Sequence, residues 1–296
     1  MKARKILLFL FLGMLSSYLK AQDLLDILDQ EQPDSPLYAN ATFSFSRITF
    51  GQSVETRKTG TLDIFTSSRF WNTPAPRSQS FVADRMSSRI ALEYGLSDRL
   101  LFGVGGTTFD GRFDGFLKFR LVKQRTDGNG SSVSISLFQN AGYFSERFAG
   151  VNVDRSTRLS YTSQLIIAKK FSPNFSLQIT PTFVHRGLLY DDEDSQNHIA
   201  VGVGGRYKLG GHVSLVSEYY YVANPIKSQT TFGAFALGIN WELSDVMLQW
   251  MLTNARSTVE DAFILETRNN FNFKNPNFHF GFNFTYTFHL KNRLKK

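Results

Sequence analysis

Phe278-His279-Phe280-Gly281-Phe282-Asn283-Phe284-Thr285-Tyr286-Thr287-Phe288 places an aromatic on every second residue, six in all, with small or polar residues between them. Strict period-2 alternation describes an extended strand with one apolar and one polar face. A strand in a soluble sandwich rarely needs six large aromatics on one side. A strand whose outer face meets lipid, and whose ends sit in aromatic girdles, does. The reading is therefore a membrane strand at the end of an all-β chain. Phe278 to Phe288 are expected to face lipid, and substitution at Asn283, on the other face, is expected to be tolerated.

The same parity runs backwards through the chain. Outward positions are Leu62 and Ile64; Ile90, Leu92 and Tyr94; Leu100, Phe102 and Val104; Leu117, Phe119 and Leu121; and Val133, Ile135 and Leu137. They continue as Leu159, Tyr161, Leu165 and Ile167; Phe175, Leu177, Ile179 and Phe183; Ile199, Val201, Val203 and Tyr207; Val213, Leu215, Tyr219 and Tyr221; Phe235, Leu237, Ile239 and Trp241; and Leu248, Trp250 and Leu252. With the phenylalanine strand this predicts a closed, antiparallel, up-and-down transmembrane β-barrel of twelve strands, the even number such barrels require.

Connections support the count. Tight links at 96–98, 172–174, 209–211 and 243–245, and a longer one at 126–130, carry turn residues. Tyr94, Phe171, Tyr207 and Trp241 precede four of them, as an interfacial girdle would. The alternate connections, at 70–86, 108–113, 142–156, 186–197, 223–230 and 254–276, are mostly longer and more polar. Short turns on one rim and long loops on the other are the outer-membrane arrangement.

The N-terminus reads as a secretory leader over 1–21. Lys2, Arg4 and Lys5 precede an apolar run at 6–15, with cleavage expected near Ala21. That run is far shorter than the ~20 residues a spanning helix needs, and a closed barrel is the strand structure that satisfies its backbone in lipid. Residues 22–59 are expected to lie in the periplasm or enter the lumen, 60–290 to form the barrel, and 291–296 to be a basic tail. Losing the leader's four basic residues lowers the formal charge of +8 by four. The rest are scattered, without a nucleic-acid footprint. The absence of cysteine excludes disulfides, thiol chemistry and lipoprotein acylation.

The polar, lumen-facing parity carries Asp63, Arg89, Glu93, Lys118, Arg120, Arg158, Arg206, Glu218 and Glu242. Arg89, Glu93, Lys118 and Arg120 are expected to lie close together. Both signs are present, which suits either mutually paired side chains in a blocked lumen or a constriction that binds small solutes. No HExxH or His-x-His pattern occurs, and no catalytic residue or cofactor is expected. His212 and Ser214 share a strand but sit at the periplasmic rim, the wrong end for a lipid hydrolase. Asp191, Asp192, Glu193 and Asp194 form the one metal candidate, a loop whose oxygens could gather Ca²⁺. Passage or binding of small solutes is the expected role, with a partner-docking barrel of blocked lumen as the alternative.

The runs Gly51-Gln52-Ser53-Val54-Glu55-Thr56, Leu92 to Leu100, Asp114 to Arg120 and Gly281-Phe282-Asn283 resemble an outer-membrane β-barrel family of Bacteroidota, domain of unknown function 5777. The resemblance implies an outer-membrane barrel over most of the mature chain and brings no activity or substrate. The last strand also resembles the C-terminal recognition strand of such barrels, which implies outer-membrane lipid and the barrel-assembly machinery as partners.

Overall fold

A computed structural model of the protein describes residues 36–73, 83–146, 154–271 and 278–290. The expected leader at 1–21, the first part (22–35) of the segment expected at 22–59, and the basic tail at 291–296 lie outside the described residues. Twelve strands are present: β1 (Thr61–Trp71), β2 (Arg85–Ser97), β3 (Leu100–Thr107), β4 (Arg112–Val122), β5 (Ser134–Phe144), β6 (Leu159–Lys170), β7 (Phe175–Arg186), β8 (Asn197–Lys208), β9 (Val213–Val222), β10 (Phe235–Leu243), β11 (Val246–Thr253) and β12 (His279–His289). Each pairs antiparallel with its sequence neighbours. β12 returns to β1, in register from Thr61↔His289 to Phe70↔Phe280, so the barrel closes and no edge remains unpaired.

The alternation that decides the fold is visible on every strand. Ile90, Leu117, Phe183, Ile199, Tyr221 and Leu252 are exposed on the outer surface, while Ala91, Lys118, Thr182, Ala200, Tyr220 and Met251 beside them are buried. On β12, Phe280, Tyr286 and Phe288 are exposed; Phe282 and Phe284 are half-buried, Phe282 with its ring centroid 6.0 Å from that of Trp250 on β11. Phe278 is half-buried and lies just outside the strand. The strand starts one residue later, and Phe278 turns onto Phe235 of β10, centroids 6.1 Å apart. Val133 likewise precedes its strand.

Two features were not expected. The long connection between β11 and β12 contains a short helix, α1 (Glu260–Leu265), all six residues of which are buried. And the inward face is not uniformly polar: Leu101, Phe116, Phe138, Ile166 and Val216 form an apolar cluster with Phe43, Ile48 and Val54, which precede the barrel. A barrel of eight strands fills its interior with its own side chains, and one of 16–18 leaves an aqueous channel. Twelve strands leave space between those limits, and here other parts of the chain occupy it.

Candidate functional site

Residues 38–59 form a re-entrant hairpin inside the barrel. It starts at the short-turn end, where Tyr38 bridges to Arg125 and the Ala39 N–H donates to Gln124 O at 2.9 Å. Its two arms are joined by an Arg47–Gln52 bridge and by Ser53 N–H to Ser46 O at 2.8 Å, and its tip by Ile48 N–H to Gly51 O at 3.0 Å. It leaves where Thr59 donates to the Asp98 carboxylate from both its N–H, 2.9 Å, and its hydroxyl, 2.8 Å. Those bonds hold Asp98, in an exposed turn, below its ordinary pKa.

The wall grips this hairpin through backbone as well as side chains. Lys118 Nζ, fully buried, donates to Ser46 O at 2.8 Å, Gln52 Oε1 at 2.9 Å and Ser53 O at 3.1 Å. Gln178 donates to Gln52 O at 2.7 Å and accepts from Val54 N–H at 3.0 Å. Gln249 reaches Ile48 O at 2.6 Å, and Asn283 reaches Thr49 O at 2.7 Å. At the tip, Glu218 Oε2 accepts the Thr49 hydroxyl at 2.6 Å and the N–H groups of Thr49, Phe50 and Gly51 at 3.2, 3.2 and 3.1 Å. Three converging N–H groups satisfy a carboxylate much as an oxyanion nest does.

At the centre of the lumen Arg47 lies between two acids from different elements. Its Nε is 3.3 Å from Glu93 on β2, and its Nη1 is 3.0 Å from Glu260 on α1; all three are buried. Phe50 packs on Phe263 of α1 with centroids 4.6 Å apart. The hairpin from one end and the helix from the other therefore meet inside the barrel. The helix is fastened by Arg112, which pairs with Asp261 at 3.0 Å and Glu266 at 2.6 Å; Arg186 also reaches Glu266 at 2.6 Å. Burial raises the Glu266 carboxyl, but Arg112 and Arg186 outweigh it and hold the group below the ordinary glutamate value.

The charged residues expected in the lumen sort into three groups. Asp63 takes Arg57 of the hairpin and Thr287, Glu93 takes Arg47 and Ser46, and Lys118 and Glu218 hold hairpin backbone. Arg120, Arg206 and Glu242 lie near the short-turn rim: Arg120 with Glu55 at 3.0 Å, and Arg206 with Glu242 at 3.5 Å. Arg89 is paired within the wall, with Asp114 at 2.5 Å. The expected cluster of Arg89, Glu93, Lys118 and Arg120 is thus not a mutual lattice, because the hairpin and Asp114 supply the partners. Arg158 immediately precedes β6 and lies with Arg112, Arg186 and Asp261 around a small cavity at the long-loop end. It clamps a long loop by donating to Phe144 O at 3.0 Å and Glu146 O at 2.5 Å.

In the acidic loop at 191–194, two of the four carboxylates accept local hydrogen bonds. Asp194 is used by a neighbouring loop, accepting from Lys227 N–H at 3.1 Å, Ser228 N–H at 2.9 Å and the Ser228 hydroxyl at 2.5 Å. Asp191 accepts from Glu193 N–H. Among the described residues no group of three or more His, Cys, Asp or Glu is placed to hold a metal ion. His212 and Ser214 each bond to Glu242, His212 to its carbonyl and Ser214 to its carboxylate. Asn283 points inward, as its parity requires. Besides Thr49 it bonds to Gln249, Ser67 and Arg69, so it belongs to the lumen network.

A prediction follows from the tip. A Cβ on Gly51 would meet Glu218 Oε1 and Tyr220 Oη, each at 2.3 Å. Gly51→Leu is therefore expected to lift the tip off Glu218, at about 1–3 kcal/mol as overpacking costs. Faster amide exchange at 49–51 than in the wild type, with the strands still protected, is the expected readout.

Residues 43–288 match the family described as "Membrane bound beta barrel domain (DUF5777)". No curated protein matches the chain by sequence. Among solved structures, the NanC porin aligns at 8% identity and a TM-score of 0.48, covering 78% of this chain and 100% of that one. The KdgM porin aligns at 8% and 0.47, covering 77% and 99%. The Pseudomonas putida toluene transporter TodX aligns at 10% and 0.39, covering 85% and 98%.

Proposed function

The chain belongs to this DUF5777 family of membrane-bound β-barrels, and from that premise we propose that it is an outer-membrane barrel whose passage for small solutes is shut at rest by its own N-terminal hairpin. One observation carries the reading: residues 39–56 are packed into the lumen against inward-facing Phe116, Phe138 and Ile166. A water-filled pore has no use for phenylalanine on its inner wall, whereas a stoppered barrel needs an apolar seat for its stopper. In this reading the short turns and the hairpin's mouth face the periplasm, the long loops face outside, and opening requires the hairpin to leave.

The test is single-channel conductance of the refolded protein in a planar bilayer. The full chain is expected to be silent. Deleting residues 37–56 is expected to give steady conductance, because the polar groups that held the hairpin then line a flooded lumen. A second reading is a permanently blocked barrel that serves as a docking scaffold. The α1 helix, which closes the lumen from the other end, favours it. Silence after deletion of 37–56, in a chain that remains folded, would decide for the scaffold.

A further inference from the structure

We propose that the long-loop mouth of the barrel binds a small organic oxyanion, a monocarboxylate on a polar ring, gripped by Arg256 and Arg268. A cavity of about 230 Å³ opens there between the loops and is lined by both arginines together with Asn254, Asn269 and Phe109. Arg256 is held in place rather than free to wander. Its guanidinium lies over Trp71, 5.3 Å from the ring centroid, and its Nε donates to His279 Nε2 at 3.3 Å. Asn269 Nδ2 donates to the same nitrogen at 2.6 Å, so His279 Nε2 is an acceptor and the ring offers Arg256 no charge. The terminal amino groups of Arg256 make no hydrogen bond among the described residues. Arg268 spends one contact on Gln229, at 2.9 Å.

Neither arginine has an ion-pair partner among the described residues. Three acids and Arg112 also line the cavity: Asp110 and Glu266 pair with Arg112, and exposed Glu146 pairs with neither Arg256 nor Arg268 among the described residues. Partial burial and the nearby Arg268 charge lower the Arg256 pKa. Two like charges facing one cavity are relieved by an anion between them, and a fork of two guanidinium groups matches a carboxylate. Phe109, set edge-on to Trp71 with centroids 5.1 Å apart, adds a flat apolar wall for a ring, and Asn269 adds a polar neighbour for its hydroxyls. Glu146 in the lining disfavours a second negative charge on the ligand.

The experiment is calorimetric titration of the full chain in detergent with glucuronate, with glucose as the uncharged control and inorganic phosphate as competitor. Saturable binding of glucuronate but not glucose, weakening as salt is raised, is the expected result. R256Q/R268Q, checked for folding by heat-modifiable gel mobility, is expected to weaken it by about tenfold or more. Displacement by phosphate would assign recognition to the oxyanion itself, and failure to displace would assign it to the carboxylate with its ring; both support the site. No saturable binding of glucuronate, equal binding of glucose, or an unchanged affinity in the folded double variant would overturn it. The readout is binding, so it is independent of whether the lumen conducts.

Discussion

Replacing Arg47 with methionine is expected to release the N-terminal hairpin from the lumen at a cost of about 3–5 kcal/mol, the usual consequence of removing one partner from a buried ion pair. Methionine keeps part of the apolar stem and removes the guanidinium, which lies over Phe65 and Phe116 at 5.1 and 5.7 Å from the ring centroids. The loss is therefore mainly electrostatic. Glu93 would keep the Ser46 hydroxyl, and Glu260 would keep Gln52 and Asn140, but two buried carboxylates would lose their shared cation. Hydrogen exchange of 41–56, and protease cleavage from the short-turn side, should both accelerate while the strands stay protected. Adding E93Q should restore part of the protection, because one of the orphaned charges is gone. Unchanged exchange in R47M would mean that the backbone grips of Lys118, Gln178 and Asn283 suffice.

Phe282→Arg is expected to prevent stable assembly. Phe282 sits mid-strand on β12, in register with Trp250 on β11 and Ser68 on β1. A cation on the lipid face near the midplane costs about 2–4 kcal/mol, and the lost aromatic contact adds to it. Phe282→Leu keeps an apolar face and should assemble. Asn283→Ala should also insert, yet expose the hairpin, since its side chain points the other way. Equal yields of folded F282R and wild-type barrel, read by heat-modifiable mobility, would contradict the outward placement of this residue.

The wall was legible because lipid imposes one rule at every second residue, and a rule repeated over twelve strands survives local exceptions. Period alone says which side a residue takes, not what it meets there. Asp63, Glu93 and Lys118 fall on the inner face by parity, but their partners Arg57, Arg47 and Gln52 lie in a segment without a sustained period. Asp114 and Arg112 share the parity of Lys118, so their inward direction was available from the same count. The helix at 260–265 gave no signal, because six residues without a side-chain N-cap are held by tertiary contacts rather than by propensity. The sign of a stoppered lumen was nonetheless present: Phe116, Phe138 and Tyr220 fall on the parity shared with Lys118 and Glu218, where a wet channel would place polar groups.

The hairpin is joined directly to β1, and β1 is joined in space to β12, which is made last. The final strand carries Asn283, whose amide grasps Thr49 O, while the penultimate strand carries Gln249, which grasps Ile48 O. The tip of the hairpin thus sits against the two strands that close the barrel onto β1. A barrel sealed around nothing would leave those amides, Lys118 and Glu218 facing an unfilled hollow. The closing seam and the stopper are therefore fastened by one set of amides, and whatever loosens the last two strands also loosens the hairpin tip.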